Sequence, residues 1–170
     1  MLESERLILR PMLPADFSSI LRLFSDPNVM AAFDQGPLTV EQSKKWFDDN
    51  LMLQKSHGYS LFAAVLKQDQ AIIGNCGLTH YKIEGKQELE IGYDLHSDYW
   101  GQRLATEAAT AVRDYAMNIL KKQRLIGLVR QTNVASQRVL EKIGMYKEKE
   151  LILREVKYWL FSVSISDSSN

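Results

Sequence analysis

One stretch limits the fold more than any other, the run from Gln87 to Ala108. Glu88 and Glu90 alternate with Leu89 and Ile91, the period of a half-buried strand, so both carboxylates lie on one strand face. A short loop through Tyr99-Trp100-Gly101-Gln102-Arg103 follows, and a helix begins at about Leu104. Ala105, Ala108, Ala109, Val112, Ala116 and Ile119 recur at helical spacing and form a small-residue face, which lets the helix lie close to a sheet. Such a turn exposes the first helical amides and the positive end of the helix dipole beside the strand's end, a geometry suited to an anion such as a pyrophosphate. Taken alone, the stretch reads first as a plain strand-to-helix connection.

The rest of the chain supplies further strands and helices. Leu7, Ile8 and Leu9 read as a strand before Pro11; Pro14 and Asp16 open a helix carrying Phe17, Ile20, Leu21 and Phe24, which Asp26-Pro27 ends. Residues 29–38 read as a loop or short helix. Thr39 and Gln42 have capping-box spacing, and the helix they open carries Trp46, Phe47 and Leu51 and ends at His57-Gly58. Residues 59–66, 71–82 and 87–95 form a meander of strands, in which Gly74 and Gly77 predict a bulge or a close backbone approach. Residues 125–129 read as a short buried strand. Asn133 caps a second helix with Val139, Leu140 and Ile143 on its apolar face and Gly144 as its C-cap, and residues 146–153 and 155–165 close the chain as strands. The order β-α-α-β-β-β-α-β-α-β-β implies an α/β fold, a mixed and mostly antiparallel sheet flanked by helices, in which a meander feeds a β-α-β crossover. At 170 residues the chain fits one domain, residues 1–165, with a small polar tail, residues 166–170, read as disordered.

Charge and special residues narrow the partners. Lys plus Arg and Asp plus Glu are both 21, so there is no broad attraction for nucleic acid or anionic lipid, and any anion site must be local. Neither a nucleic-acid nor a membrane partner is expected. Cys76 is the lone cysteine and lies in an apolar run, a small buried side chain rather than a nucleophile. The charged start, Met1 to Arg6, has no apolar signal core, and no run approaches the ~20 apolar residues of a membrane span, which points to a cytoplasmic protein. His57, His80 and His96 have no second ligand at metal spacing, so no metal is expected. Trp46, Phe47 and Trp159 read as core or dimer surface, and Trp100 as packing under its loop.

Two stretches in fixed order carry more than either alone. Glu90-Ile91-Gly92-Tyr93 with Trp100-Gly101, then Asn133, Ser136 and the run Val139 to Gly144, separated by one helix and one strand, resemble the GNAT superfamily of acetyl-CoA-dependent N-acetyltransferases. The openings Ser4-Glu5-Arg6-Leu7-Ile8-Leu9-Arg10-Pro11 and Asp26-Pro27-Asn28-Val29-Met30 resemble the branch of ribosomal-protein N-terminal acetyltransferases, and the likeness covers nearly the whole chain.

The resemblance implies a co-substrate, acetyl-CoA, whose pantetheine arm lies between two splayed parallel strands, here those ending at Leu95 and spanning 125–129. The arm would bond backbone groups near Tyr93, Asp94 and Leu95. The pyrophosphate would sit by Gly101 on amides of Gln102, Arg103, Leu104, Ala105 and Thr106, and Asn133 and Ser136 would line the thiol end. The family's loop reads Q/R-x-x-G-x-G/A, and Arg103 stands at its first Gly. Arg103 either contacts a phosphate or is a solvated side chain near Glu107, and both readings stand open. Glu90 matches the carboxylate that deprotonates the amine through water in the family. Many members protonate the thiolate with a Tyr, where this chain has Leu140; Ser136 is the alternative donor, or else an early-helix hydroxyl bonding toward Asn133.

Acetyl transfer to a primary amine, either a protein N-terminus or a small molecule, follows from that resemblance, by direct attack in a ternary complex. The alternative is a CoA-binding sensor or assembly module with little turnover, favoured by Arg103 and the absent tyrosine. A nucleotide hydrolase lacks the G-x-x-x-x-G-K-[ST] loop it needs. The resemblance implies an acceptor groove formed by the two early helices, the loop 29–38 and the final strands; Asp34, Asp48 and Asp49 near its mouth would suit a cationic amine, although a solvated helix face explains them better. A homodimer through the final strands is left open.

Overall fold

The structure, a computed structural model, describes residues 1–33 and 36–164. Asp34, Ile165 and the tail 166–170 lie outside the described residues. The chain runs through β1 (Leu2–Glu3), β2 (Leu7–Arg10), a 3-10 turn (Pro14–Asp16), α1 (Phe17–Phe24), α2 (Pro27–Met30), α3 (Val40–His57), β3 (Leu61–Leu66), β4 (Ile72–Ile83), β5 (Lys86–Leu95), a second 3-10 turn (Ser97–Tyr99), α4 (Leu104–Asp114), a π turn (Tyr115–Ile119), β6 (Arg124–Arg130), α5 (Val134–Lys142), β7 (Tyr146–Leu153) and β8 (Val156–Ser164). The strands form one sheet in the order β1-β2-β3-β4-β5-β6-β8-β7. Every neighbouring pair is antiparallel except β5 and β6, which the α4 crossover makes parallel.

Local chemistry sets the helix ends. Thr39 accepts the Gln42 amide and the Gln42 side chain accepts the Thr39 amide, a reciprocal cap worth about 1 kcal/mol. Gly58, at φ 76°, ends α3 in the left-handed region that a Cβ disfavours. Asp26 and Pro27 do more than end α1: the Asp26 carboxylate accepts the Asn28 amide and caps α2, with Pro27 at its first position.

The glycines of β4 are places of close approach. A Cβ on Gly74 would stand 2.0 Å from the Asp94 carbonyl oxygen, and one on Gly77 2.1 Å from that of Ser60. Register slips between Ala64, paired with Gly74, and Val65, paired with Ile72, so β4 also carries a bulge there.

The sheet divides two cores. On one face β2–β6 and β8 pack Leu7, Phe62, Cys76, Leu89, Ile91 and Phe161 against Ala108, Ala109 and Val112 of α4 and Leu140 of α5. On the other, Leu61, Ala63 and Val65 meet Ile20, Leu23 and Phe24 of α1 and Phe47 of α3. Trp46 packs edge-on against Phe24, and Trp159 lies under the Lys147 ammonium, 4.3 Å from its ring centre.

Ile119 departs from the expected helix face and is 70% exposed. The π turn that follows α4 inserts an extra residue per turn, so the register that buries Ala108, Val112 and Ala116 does not extend to Ile119.

Candidate active site

The parallel strands part where the site forms. Their paired register is Glu90 with Ile126, and beyond it β5 continues to Leu95 while β6 runs to Arg130. A cleft of about 590 Å³ opens past this fork. Tyr93, Asp94 and Leu95 of β5 form one wall; Gly101, Arg103, Leu104, Ala105 and Thr106 form a second at the start of α4; Asn133, Ser136, Arg138, Val139 and Lys142 form a third at α5; Asn28 and Val29 of α2 and Ala31 and Ala32 of the turn after it cover it. Of the residues expected from sequence, Gln102 and Glu90 do not line the cleft. Gln102 is exposed, and its carbonyl accepts from the Arg6 guanidinium.

The start of α4 is built to receive an anion. Its first turn closes with Glu107 N–H to Arg103 O at 3.1 Å, so the amides of Leu104, Ala105 and Thr106 precede the helical ladder. Gly101 and Arg103 both lie in the left-handed region, at φ 76° and 63°. Arg103 thus adopts the backbone that a glycine takes most readily, and the residue lines the cleft. It is not beside a free Glu107. That carboxylate accepts from Ser4 Oγ at 2.7 Å, Arg6 N at 2.6 Å and Arg6 Nε at 2.8 Å. Burial opposes its charge, but these bonds hold it below the usual carboxylate range. Trp100 does not pack under the loop: it is 52% exposed, lines the cleft, and its indole N–H donates to Leu95 O at 2.8 Å.

Helix α5 presents the third wall. Asn133 Oδ1 accepts the Ser136 amide at 3.1 Å. The Ser136 hydroxyl turns instead to the Tyr93 hydroxyl, 2.9 Å away, which also donates to Ser136 O at 3.0 Å. Burial raises the Tyr93 phenol above its ordinary range, so it stays protonated at neutral pH. Leu140 is core and packs against Gly127, where an added Cβ would stand 2.8 Å from Leu140 Cδ2.

The carboxylates of β5 divide by partner. Glu88 is tied to Arg124 at 3.2 Å. Glu90 takes hydrogen bonds from the Leu128 backbone N–H and from Thr79 Oγ1, the latter at 3.3 Å. The Leu128 amide lies past the last strand pair, so the Glu90 carboxyl takes the place of a strand partner at the fork. Burial, with the nearby Asp94 charge, pushes Glu90 up to about 7 against these bonds. Burial likewise pushes Asp94 up to about 6, opposed by the amide of Asn75. Cys76 is buried and burial raises its thiol, as expected of a structural cysteine. Asp48 and Asp49 belong to the α3 surface, paired with Lys44 and Lys45. Arg138, Lys142 and Thr132 were not singled out from sequence; the i, i+4 spacing of Arg138 and Lys142 on the helix opened by Asn133 was the available signal.

No helix among the described residues is long and apolar enough to cross a membrane. No group of three or more metal-ligating side chains occurs among the described residues.

Comparison with known proteins agrees with this geometry. The family described as "Acetyltransferase (GNAT) domain" matches residues 6–146. The chain is 35% identical over 151 residues to the uncharacterized protein YkkB of Bacillus subtilis, covering 88% of this chain and 87% of that one. It is 31% identical over 154 residues to the uncharacterized N-acetyltransferase p20 of Bacillus licheniformis, covering 86% and 83%. An acetyltransferase structure from Agrobacterium tumefaciens superposes with a TM-score of 0.82 at 25% identity, over 96% and 93% of the two chains. The same fold occurs in a ribosomal-protein-S5-alanine acetyltransferase of Vibrio fischeri (TM-score 0.78, 22% identity, 99% and 98% covered) and in a spermidine N-acetyltransferase of Vibrio cholerae bound to CoA and spermine (TM-score 0.77, 17%, 94% and 95%). By the extent of the family match and of the identity to YkkB, the chain belongs to the GNAT family, the acetyl-CoA-dependent N-acetyltransferases.

Proposed function

We propose that the chain moves the acetyl group of acetyl-CoA to a primary amine by direct attack within a ternary complex. The observation that carries this reading is one cleft, where the unpaired first amides of α4 and the cations Arg103, Arg138 and Lys142 converge beside the fork of β5 and β6. None of these cations has an anionic partner among the described residues, although the chain as a whole is neutral. Such a cleft suits the phosphates of CoA, with the pyrophosphate on the amides of Leu104 to Thr106 and the pantetheine arm along Tyr93 to Leu95.

The chemistry needs a proton taken from the amine, a polarised carbonyl and a proton for the departing thiolate. Glu90 takes the first role through water: its carboxyl is held at the fork and titrates near neutrality, where a general base is most effective. A backbone amide at Tyr93 or Leu95, freed from β6 by the splay, meets the carbonyl oxygen. Ser136 donates to the thiolate, with the Tyr93 hydroxyl behind it. Members of this fold act on amines as different as a ribosomal protein and spermidine, so the fold does not choose the acceptor.

Calorimetric titration with acetyl-CoA, followed by thiol release with peptides, polyamines and aminoglycosides, tests the reading. Binding with release on any amine class supports it. Binding without release on the whole panel favours a CoA-binding sensor, and no binding removes the cofactor assignment.

A further inference from the structure

The loop that leads into α4 is held by two tethers. Gly101 and Arg103 both take left-handed backbone, at φ 76° and 63°, and a loop carrying two such residues keeps its shape where its surroundings fix it. Before Gly101, the Trp100 indole N–H donates to Leu95 O at 2.8 Å and ties the loop to β5. After it, the Arg6 guanidinium bridges two points. Its Nη2 donates to Gln102 O at 3.1 Å, and its Nε and Nη2 reach Glu107 Oε2 at 2.8 Å and 2.7 Å.

The second tether is itself anchored. Arg6 lies between β1 and β2, where its own backbone N–H and Ser4 Oγ donate to Glu107 Oε1 at 2.6 Å and 2.7 Å. Lys67, the residue after β3, holds this turn in place: its backbone N–H donates to Arg6 O at 2.8 Å and its ammonium to Ser4 O at 2.8 Å. A continuous run of hydrogen bonds thus leads from the sheet through Ser4 and Arg6 to Gln102 and Glu107, on either side of Arg103 and the first amides of α4. Neither Arg6 nor Glu107 lines the cleft. The Arg6 side chain is 43% exposed, and an ion pair so placed contributes little to global stability. Its bridge to a backbone carbonyl inside the loop gives it a local effect instead.

We infer that Arg6 and Glu107 are positioning residues for the phosphates of acetyl-CoA: their clamp presets the loop from Gly101 to Arg103 and the amides of Leu104 to Thr106 before the co-substrate arrives. This rests on the acetyl-transfer reading above and adds which residues outside the cleft set co-substrate affinity. A loop already ordered loses little freedom on binding, whereas a released loop has to be ordered by acetyl-CoA itself, which weakens binding. The planar guanidinium spans a carboxylate and a carbonyl at once, which a single ammonium does not. Glu90 and Ser136, which act on the reacting groups, make no contact with the clamp, so its effect falls on affinity and not on the reaction at saturation.

The test compares acetyl-CoA binding by wild type, Arg6→Met and Arg6→Lys, using calorimetry, with hydrogen exchange of the unliganded proteins. Arg6→Met keeps the apolar stem and loses the bridge. Its Kd rises about tenfold, the scale of a lost hydrogen bond to a charged group, and kcat at saturating acetyl-CoA stays near the wild-type value. Arg6→Lys keeps the charge and recovers little of the affinity. Amides of residues 101–106 exchange faster in Arg6→Met than in wild type, and bound acetyl-CoA removes the difference. A wild-type Kd in Arg6→Met overturns the inference and leaves acetyl transfer standing. So does full recovery in Arg6→Lys, which assigns Arg6 to charge alone, and so does exchange that is unchanged at 101–106 or faster throughout the chain. A wild type that binds no acetyl-CoA overturns both. Should Arg6→Met not fold, Glu107→Gln replaces it, since its side-chain carbonyl still accepts from Ser4 and the Arg6 amide while the ion pair is lost. A raised Kd in Glu107→Gln, with faster exchange confined to residues 101–106, supports the clamp; an unchanged Kd overturns it.

Discussion

The hydroxyl of Tyr93 lies 2.9 Å from that of Ser136, and this contact joins the end of β5 to the first turn of α5 across the cleft. It fixes the direction of the Ser136 hydroxyl at the place where the chain has Leu140 in core and no tyrosine on the helix. If Ser136 protonates the thiolate, Ser136→Ala lowers kcat by about 10²-fold or more, the range of a lost general acid, with little change in KM for acetyl-CoA. Tyr93→Phe removes the orienting partner and lowers kcat less. A donor ester of a strongly acidic thiol, whose thiolate needs no proton, restores turnover in Ser136→Ala. Normal turnover of Ser136→Ala with acetyl-CoA removes the assignment.

Glu90 gives a pH signature with a definite sign. A base with a pKa of about 7 is inactive when protonated, so kcat/KM rises with pH through an inflection near that value. Glu90→Gln removes the inflection and lowers the plateau by about 10²-fold or more. The same shift acts on stability. The carboxyl is raised from 4.5 in the unfolded chain, so the folded state holds a proton that the unfolded state has lost, and stability falls as pH rises from about 4.5 to about 7. Glu90→Gln lacks that fall, which denaturant titrations at acid and mildly alkaline pH detect. The Leu128 amide keeps an acceptor in the Gln side-chain carbonyl, so the variant folds.

Gly74 and Gly77 test the close approaches in β4. A Cβ at either would overlap a backbone carbonyl oxygen, that of Asp94 in β5 at 2.0 Å or that of Ser60 just before β3 at 2.1 Å, and no side chain can move aside to admit it. Gly74→Ala or Gly77→Ala therefore costs about 3 kcal/mol or more, at the upper end of overpacking. Gly74 also touches the Asp94 backbone, so Gly74→Ala perturbs the cleft wall as well. Thermal unfolding of both variants decides this; a Tm near wild type for either refutes the clash.

Much of this architecture is written in local sequence. The Thr39 and Gln42 pair, the left-handed Gly58, the β4 glycines and the alternation along β5 each follow from near-neighbour chemistry, and each appears in the structure. Other features depend on contacts distant in sequence. Sequence periodicity does not foresee the π turn that exposes Ile119. Ser4 and Arg6 meet Glu107 across about a hundred residues, which removes the expected neighbour of Arg103. The placing of Asn28 and Val29 over the cleft likewise requires the sheet and helices to be assembled. Alternation places Glu88 and Glu90 on one face, but Arg124 occupies one and the Leu128 amide the other, a distinction carried by β6.

Arg103 ends in two opposed effects that one substitution separates. A side chain at φ 63° costs about 1–2 kcal/mol against a right-handed conformation, and glycine avoids that cost while giving the unfolded chain about 0.4–1 kcal/mol more entropy to lose. Arg103→Gly therefore stabilises the protein by up to about 1 kcal/mol, seen as a rise in Tm. Arg103 lines the cleft, next to the first residues of α4, and has no anionic partner among the described residues. If it contacts a CoA phosphate, Arg103→Gly weakens acetyl-CoA binding by about 1.5–3 kcal/mol at most, the worth of a hydrogen bond to a charged group, and the loss shrinks as salt screens the wild-type contact. A more stable variant that binds acetyl-CoA less tightly identifies a residue retained for the phosphate at a cost in backbone strain. Tighter acetyl-CoA binding by Arg103→Gly instead identifies a side chain that narrows the approach, and the phosphate contact is then wrong.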